Sequence, residues 1–164
     1  MFDGLVQTGH GYTAGGLLGY ELGDWLFTLR PAYRRQNLRA IIPPRDEVPA
    51  GVESLIYRNT VSLSLRTNYF FGRQRFRPVL GFGAGFLLDL TQDMGVSALR
   101  PEPVLPYLEI SAGVEGSFAG LRWRPEVVLY HGVGEIFAAS RGLYNHLLPG
   151  KRLAFVSFGV VVIK

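Results

Sequence analysis

From Leu55 to Leu90 the chain alternates between apolar and polar residues with a period of two. Leu55, Tyr57, Asn59, Val61, Leu63, Leu65, Thr67 and Tyr69 share one face, and Ile56, Arg58, Thr60, Ser62, Ser64, Arg66 and Asn68 share the other. After Gly72-Arg73-Gln74-Arg75 the rhythm resumes. Phe76, Pro78, Leu80, Phe82, Ala84, Phe86, Leu88 and Leu90 now stand against Arg77, Val79, Gly81, Gly83, Gly85, Leu87 and Asp89. Successive strand residues point to opposite sides, so the stretch predicts a hairpin of two long strands with one greasy and one polar or glycine face. Each strand exceeds the roughly 5–6 residues usual in soluble sheets and reaches the roughly 9–11 that cross a bilayer at a tilt.

The same rhythm recurs along the chain. Phe2 to His10 reads as irregular, at best a short strand, and Tyr12 to Leu22 alternates. Gly23-Asp24 is a two-residue hairpin signal leading into Trp25 to about Ile41, where Pro31, which cannot donate to a ladder, predicts a bulge. Pro106 to Phe118 and Leu121 to Glu135 are joined by Ala119-Gly120, and Lys151 to Ile163 closes the series, apolar on both faces and therefore ambiguous in register. Connections alternate in length: short at 23–24, 72–75 and 119–120, long at 42–53, 91–104 and 137–150. The expected fold is a single all-β domain over residues 1–164, an antiparallel up-and-down transmembrane β-barrel of the eight-stranded type. Seven strands are clear; the first is weak, or missing upstream of Met1, because such barrels have an even strand number.

Composition sharpens this picture. Hydrophobic residues make up 48% of the 164 and mean hydropathy is +0.16, yet the longest strongly apolar run, Leu153 to Ile163, is too short for the roughly 20 residues of a spanning helix. Any crossing is therefore made by strands. The net charge of +4 is dispersed along the strands opposite acidic residues, and no nucleic-acid-binding motif is present, so no nucleic acid is expected as a partner. Lys151 and Lys164 are the two lysines and the other fifteen basic residues are arginines, the side chain suited to desolvated, multiply bonded ion pairs. Without cysteine there are no disulfides or cysteine–zinc sites, and no cofactor or metal is expected. Met1-Phe2-Asp3-Gly4 carries no signal-peptide pattern, so a mature segment or a shortened frame is expected.

The polar faces collect Glu21, Arg30, Arg34, Arg58, Arg66, Arg77, Asp89, Glu109, Glu115, Arg122, Arg124 and Glu126. An eight-stranded barrel is filled by side chains, and unpaired charge there is costly, so these residues are expected to form a cross-strand network that fixes register. Glu109, Glu115 and Glu126 are the expected partners of Arg66, Arg77, Arg122 and Arg124. Trp25, Tyr33, Tyr57, Tyr69, Phe70, Phe71 and Trp123 fall near strand ends and are expected at the membrane interfaces. His131, Glu135 and Ser140 form a sparse constellation that a lipid A hydrolase could use, while His10 and His146 are scattered; no catalytic residue is expected. Gly81-Phe82-Gly83-Ala84-Gly85 lacks the helix and Lys-Ser/Thr of a phosphate loop.

Several stretches carry a family likeness: Gly16-Leu17-Leu18-Gly19-Tyr20-Glu21-Leu22 with Leu29-Arg30-Pro31, Tyr69-Phe70-Phe71-Gly72, Pro78-Val79-Leu80-Gly81-Phe82-Gly83-Ala84-Gly85, Gly113-Val114-Glu115 and Phe158-Gly159-Val160. Over nearly its whole length the chain resembles the PorT-like small outer-membrane β-barrel proteins. That resemblance implies eight strands, a removed signal peptide, location in the bacterial outer membrane and no assigned activity; the namesake takes part in a secretion and gliding apparatus. The chain departs from the pattern in its indistinct first strand and in ending at Lys164, where many outer-membrane proteins end in an aromatic residue. The expected role is structural or docking through long outer loops. The expected partners are membrane lipid, lipopolysaccharide and outer-membrane or periplasmic machinery proteins. Two alternatives are a soluble lipocalin-like carrier and the lipid A-modifying hydrolase.

Overall fold

The computed structural model describes residues 5–44, 50–72, 75–90, 101–118, 120–137 and 152–163. Most of the expected long loops lie outside these residues, as do Phe2, Ala119, Ser140, His146 and Lys151. Eight strands follow one another: β1 (Leu5–Gly15), β2 (Leu18–Leu22), β3 (Trp25–Ile42), β4 (Val52–Phe70), β5 (Phe76–Asp89), β6 (Val104–Phe118), β7 (Leu121–Glu135) and β8 (Arg152–Ile163). They form one antiparallel sheet in the order β1-β3-β4-β5-β6-β7-β8, with β2 also paired to β3. The sheet curls into a half-barrel. No described helix is long and apolar enough to cross a membrane, which is no bar to crossing by strands.

β1 and β2 are two halves of one edge strand on the same side of β3. The ladder reads Gly15↔Ala32 and then Leu18↔Leu29, leaving Gly16 and Leu17 outside it. Pro31 explains the gap. Its carbonyl accepts from the Gly16 amide at 2.9 Å, but proline has no N–H to donate in return. The bulge expected in β3 therefore appears in its neighbour, whereas β3 pairs with β4 unbroken from Trp25↔Tyr69 to Ile42↔Val52. Leu5 to His10, expected to be largely irregular, is the start of this edge strand, which has a register shift between Thr8 and Gly11.

Short turns gather at one end of the sheet. Leu22 pairs with Trp25 across Gly23-Asp24, and Phe118 pairs with Leu121 across residues 119–120. Gly23 (φ 61°), Gly72 (φ 77°) and Gly120 (φ 76°) supply the left-handed backbone these tight connections require. The connections 43–51, 90–103 and 136–151 lie at the other end.

The alternation sets the two faces. Outward go Trp25, Phe27 and Leu29 on β3, Leu63 and Leu65 on β4, Phe82 and Phe86 on β5, Ile110 on β6, Leu129 on β7 and Phe158 on β8. Among the described residues thirty-two large apolar or aromatic side chains are more than a third exposed, so the greasy face is on the outside of the curl. The register of β8 follows from Val127↔Phe158 and Val128↔Ser157: Val156, Phe158, Val160 and Val162 are exposed, and Leu153, Phe155 and Ser157 turn in.

The inner face has two levels. Toward the short turns it is largely polar and charged, around a small apolar group of Leu26, Phe70 and Val79. Toward the long loops it becomes a packed apolar cluster of Leu38, Ile42, Leu87, Leu105, Tyr107 and Phe137 with its neighbours. Burying each large apolar side chain there contributes about 1.5–3 kcal/mol, so the cluster anchors the long-loop end of the half-barrel. Beyond Tyr33 the character of β3 reverses: Arg35, Asn37 and Arg39 face out and Leu38, Ala40 and Ile42 face in. A lumen polar over its whole length was expected. The strands instead outrun the greasy band, and their far ends fold as an ordinary sheet with its apolar side inward.

Candidate functional site

The charged layer is built by strands that offer long side chains beside strands that offer glycine. Arg66, Gly83, Glu109 and Tyr130 occupy one row across β4, β5, β6 and β7. Gly83 is the gap in that row. A Cβ there would lie 2.6 Å from the Leu65 carbonyl oxygen and 2.9 Å from Glu109 Oε1. Without one, Arg66 reaches across β5 and donates from Nε to Glu109 at 2.8 Å, with both side chains at most 1% exposed.

The network then spans the interior. Arg66 Nη1 donates to Glu126 at 3.1 Å, and Arg30 Nη2 donates to the same oxygen at 2.8 Å from the far wall. Arg124 completes the ring around Glu126 at 3.4 Å and also faces Glu115 at 3.9 Å, at ion-pair distances without hydrogen-bond geometry. Glu115 accepts from Arg77 at 2.5 Å and lies 3.7 Å from Arg122, which also pairs with Glu21. All three expected glutamates and all four expected arginines thus come together in one connected cluster. At the long-loop end Arg58, 1% exposed, donates to Asp89 at 2.6 Å and to the Glu102 carbonyl at 3.3 Å.

Arg34 stands apart. It is 5% exposed, and its guanidinium lies 4.0 Å from the centre of the Tyr130 ring, 5.2 Å from that of Phe155 and 5.8 Å from that of Tyr107. Cation–π attraction holds it there. Among the described residues its Nε and Nη1 meet no hydrogen-bond acceptor. Alternation placed Arg34 inside correctly, but the aromatic cage comes from three strands distant in sequence and has no local signal.

The aromatics divide. Trp25 packs at a tilt against Tyr69 with ring centres 4.8 Å apart, Tyr69 meets Phe71 edge-on at 4.8 Å, and Trp123 is exposed at the same short-turn end. Tyr33 and Tyr57 face outward toward the other end, where Tyr33 contacts Tyr12 and donates to Asn59. Phe70 does not belong with them. It was expected at an interface, but it is 2% exposed, packs with Leu26 and Val79, and lies 4.3 Å beneath the Arg77 guanidinium. The reason is parity: Phe70 follows Asn68 on the inner face.

His131 and Glu135 are four residues apart on the outer face of β7, a separation of roughly 13 Å at strand rise, and Ser140 lies outside the described residues. Among the described residues no group of three or more His, Cys, Asp or Glu could hold a metal ion.

The edges β1/β2 and β8 are not hydrogen-bonded to each other, and a cleft of about 1050 Å³ lies between them. Leu17, Leu18, Val160 and Val162 line its rim, and Arg30, Arg34 and Glu126 line its floor. No protein-family model, curated protein or solved structure matches the chain, so this inside-out distribution of charge and grease is the ground for reading its role.

Proposed function

We propose that the chain is an integral outer-membrane β-barrel protein whose arginine–glutamate interior is a structural fill and whose role is non-enzymatic docking through its long-loop end. One observation carries the reading: an apolar outer band encloses a charged interior. On β3 that band runs from Trp25 to Tyr33, nine residues bounded by aromatics, against the roughly 9–11 a tilted spanning strand needs. A soluble carrier has the reverse distribution, with a greasy cavity and a polar outside. A soluble monomer rarely exposes a contiguous apolar patch beyond a few hundred Å².

A place among the PorT-like barrels, secretion-linked in their namesake, is part of the same proposal. Under it, lipid and lipopolysaccharide cover the band and machinery proteins meet the loops. The test is refolding into detergent micelles and lipid vesicles. The expected result is a protein that stays with the vesicles in alkaline carbonate and migrates differently on gels before and after heating. Release into buffer without detergent would overturn the assignment.

A further inference from the structure

We infer that the charged layer inside the half-barrel is a binding site for one small monovalent anion of chloride's size, held by the spare N–H groups of Arg124, Arg66 and Arg30. The site needs only that these charges lie inside the curl, whatever covers the outer band and whatever lies along the seam.

Three guanidinium groups converge on one carboxylate. Arg30 Nη2 and Arg66 Nη1 donate to Glu126 Oε1 at 2.8 and 3.1 Å, and Arg124 Nε lies 3.4 Å from Oε2. Each keeps nitrogen atoms that meet no acceptor among the described residues: Arg30 Nη1, Arg66 Nη2, and Nε, Nη1 and Nη2 of Arg124. Arg124 is 1% exposed, and its guanidinium makes no hydrogen bond although it lies between Glu126 and Glu115. A guanidinium offers five N–H donors and stays charged, so burying one without acceptors forfeits the strongest class of hydrogen bond. Because the three groups share one carboxylate, their spare donors crowd into one small region of the layer. β3, β4 and β7 are inner strands of the sheet, so the convergence is fixed by pairs already in place. Arg34 has unmet donors too, but it stands outside this cluster, against the faces of Tyr107, Tyr130 and Phe155.

Charge balance selects the ligand. Among the described residues, the connected ion pairs of the layer join five arginines to four glutamates, one positive charge in excess. Water accepts from spare N–H groups but leaves that buried excess in place. A monovalent anion does both, accepting several charge-assisted hydrogen bonds at once and neutralising the layer. A divalent oxyanion overshoots the balance and sets its second charge against Glu126. Glu115 Oε2, 3.9 Å from Arg124, lacks a donor and repels an anion, which places the ion on the Glu126 side, beside Arg66 and Arg30. The hollow of about 1050 Å³ opens onto Arg30, Glu109 and Glu126, a route to the layer that avoids the apolar pack at the long-loop end.

The test uses the full chain refolded in detergent micelles, or in buffer if it needs no detergent. Chloride is the probe, and gluconate at equal ionic strength is the bulky reference. An ion that binds only the folded state stabilises it, so the urea midpoint should rise as chloride replaces gluconate. The chloride NMR line should broaden with protein and sharpen again when bromide competes. Arg124→Gln should weaken chloride binding roughly tenfold or more, through the loss of charged hydrogen bonds. Arg34→Gln should leave it unchanged. If Arg124→Gln does not fold, Arg30→Gln, whose side chain is 19% exposed, must weaken the response in its place. Equal midpoints in chloride and gluconate, or an unchanged response in the folded variant, overturn the proposal and leave water as the partner of those donors. A stronger response to sulfate than to chloride overturns the monovalent assignment. A chain that binds chloride yet needs no detergent keeps this site and loses the membrane reading alone.

Discussion

Arg30 on β3 and Glu126 on β7 meet at 2.8 Å although three strands lie between theirs in the sheet. The contact crosses the hollow of the curl, so it reports the curvature of the sheet as well as charge pairing. Glu126 is also the acceptor for Arg66 and the neighbour of Arg124, which makes it the hub of the layer.

Replacing Glu126 by alanine leaves three buried guanidinium groups facing one another across the interior. Breaking a buried pair from one side costs about 3–5 kcal/mol. Urea unfolding in micelles, followed by tryptophan fluorescence, should show a loss of that order. Glu53→Ala is the control: its pair with Arg39 is about half exposed on both sides and should change stability by about 1 kcal/mol or less.

Gly83→Val tests the gap in the row. The first added carbon collides with the Leu65 carbonyl and with Glu109, neither of which can retreat without breaking the ladder or the Arg66 pair. A loss of about 1–3 kcal/mol is expected. The same change at Gly23, where a Cβ meets nothing within 4 Å, is instead strained by its φ of 61°.

Leu65→Arg asks what the outer face touches. Leu65 is 68% exposed. In water the change would be close to neutral, whereas near the middle of a bilayer arginine on a lipid-facing strand costs about 2–4 kcal/mol. Measured in vesicles, a cost of that size supports the membrane reading, and no cost opposes it.

Phe70→Ala separates inner from outer aromatics. Removing a buried phenylalanine costs about 3–5 kcal/mol. Phe71→Ala, one residue along and 44% exposed, should cost much less in the same unfolding assay.

Much of this architecture was readable before any coordinates. Period-two alternation placed Leu63 and Leu65 on one wall and Ser62, Ser64 and Arg66 on the other, and the spacing of glycines and prolines located the turns. Burial then forced the charged residues to pair, which is why Arg66, Glu109 and Glu126 could be named together. Three features were not legible. The break between β1 and β2 depends on what lies opposite Pro31 in the neighbouring strand. The register of β8 cannot come from a segment apolar on both faces; its ladder with β7 supplies it. The cage around Arg34 is assembled from β6, β7 and β8. A fourth feature was present but passed over: from Arg35 to Ile42 the alternation persists while its sense inverts, which marks where the greasy band stops.

The apolar pack at the long-loop end has an electrical consequence. Leu38, Leu105, Tyr107 and Phe137 are each at most 2% exposed, so an ion entering past Trp25 and Trp123 would travel along arginines and glutamates and then face a dry stopper. Shedding hydration there without a compensating ligand is costly, so under the membrane reading an ion would meet the charged layer from the short-turn end or through the open seam and would be turned back at this pack.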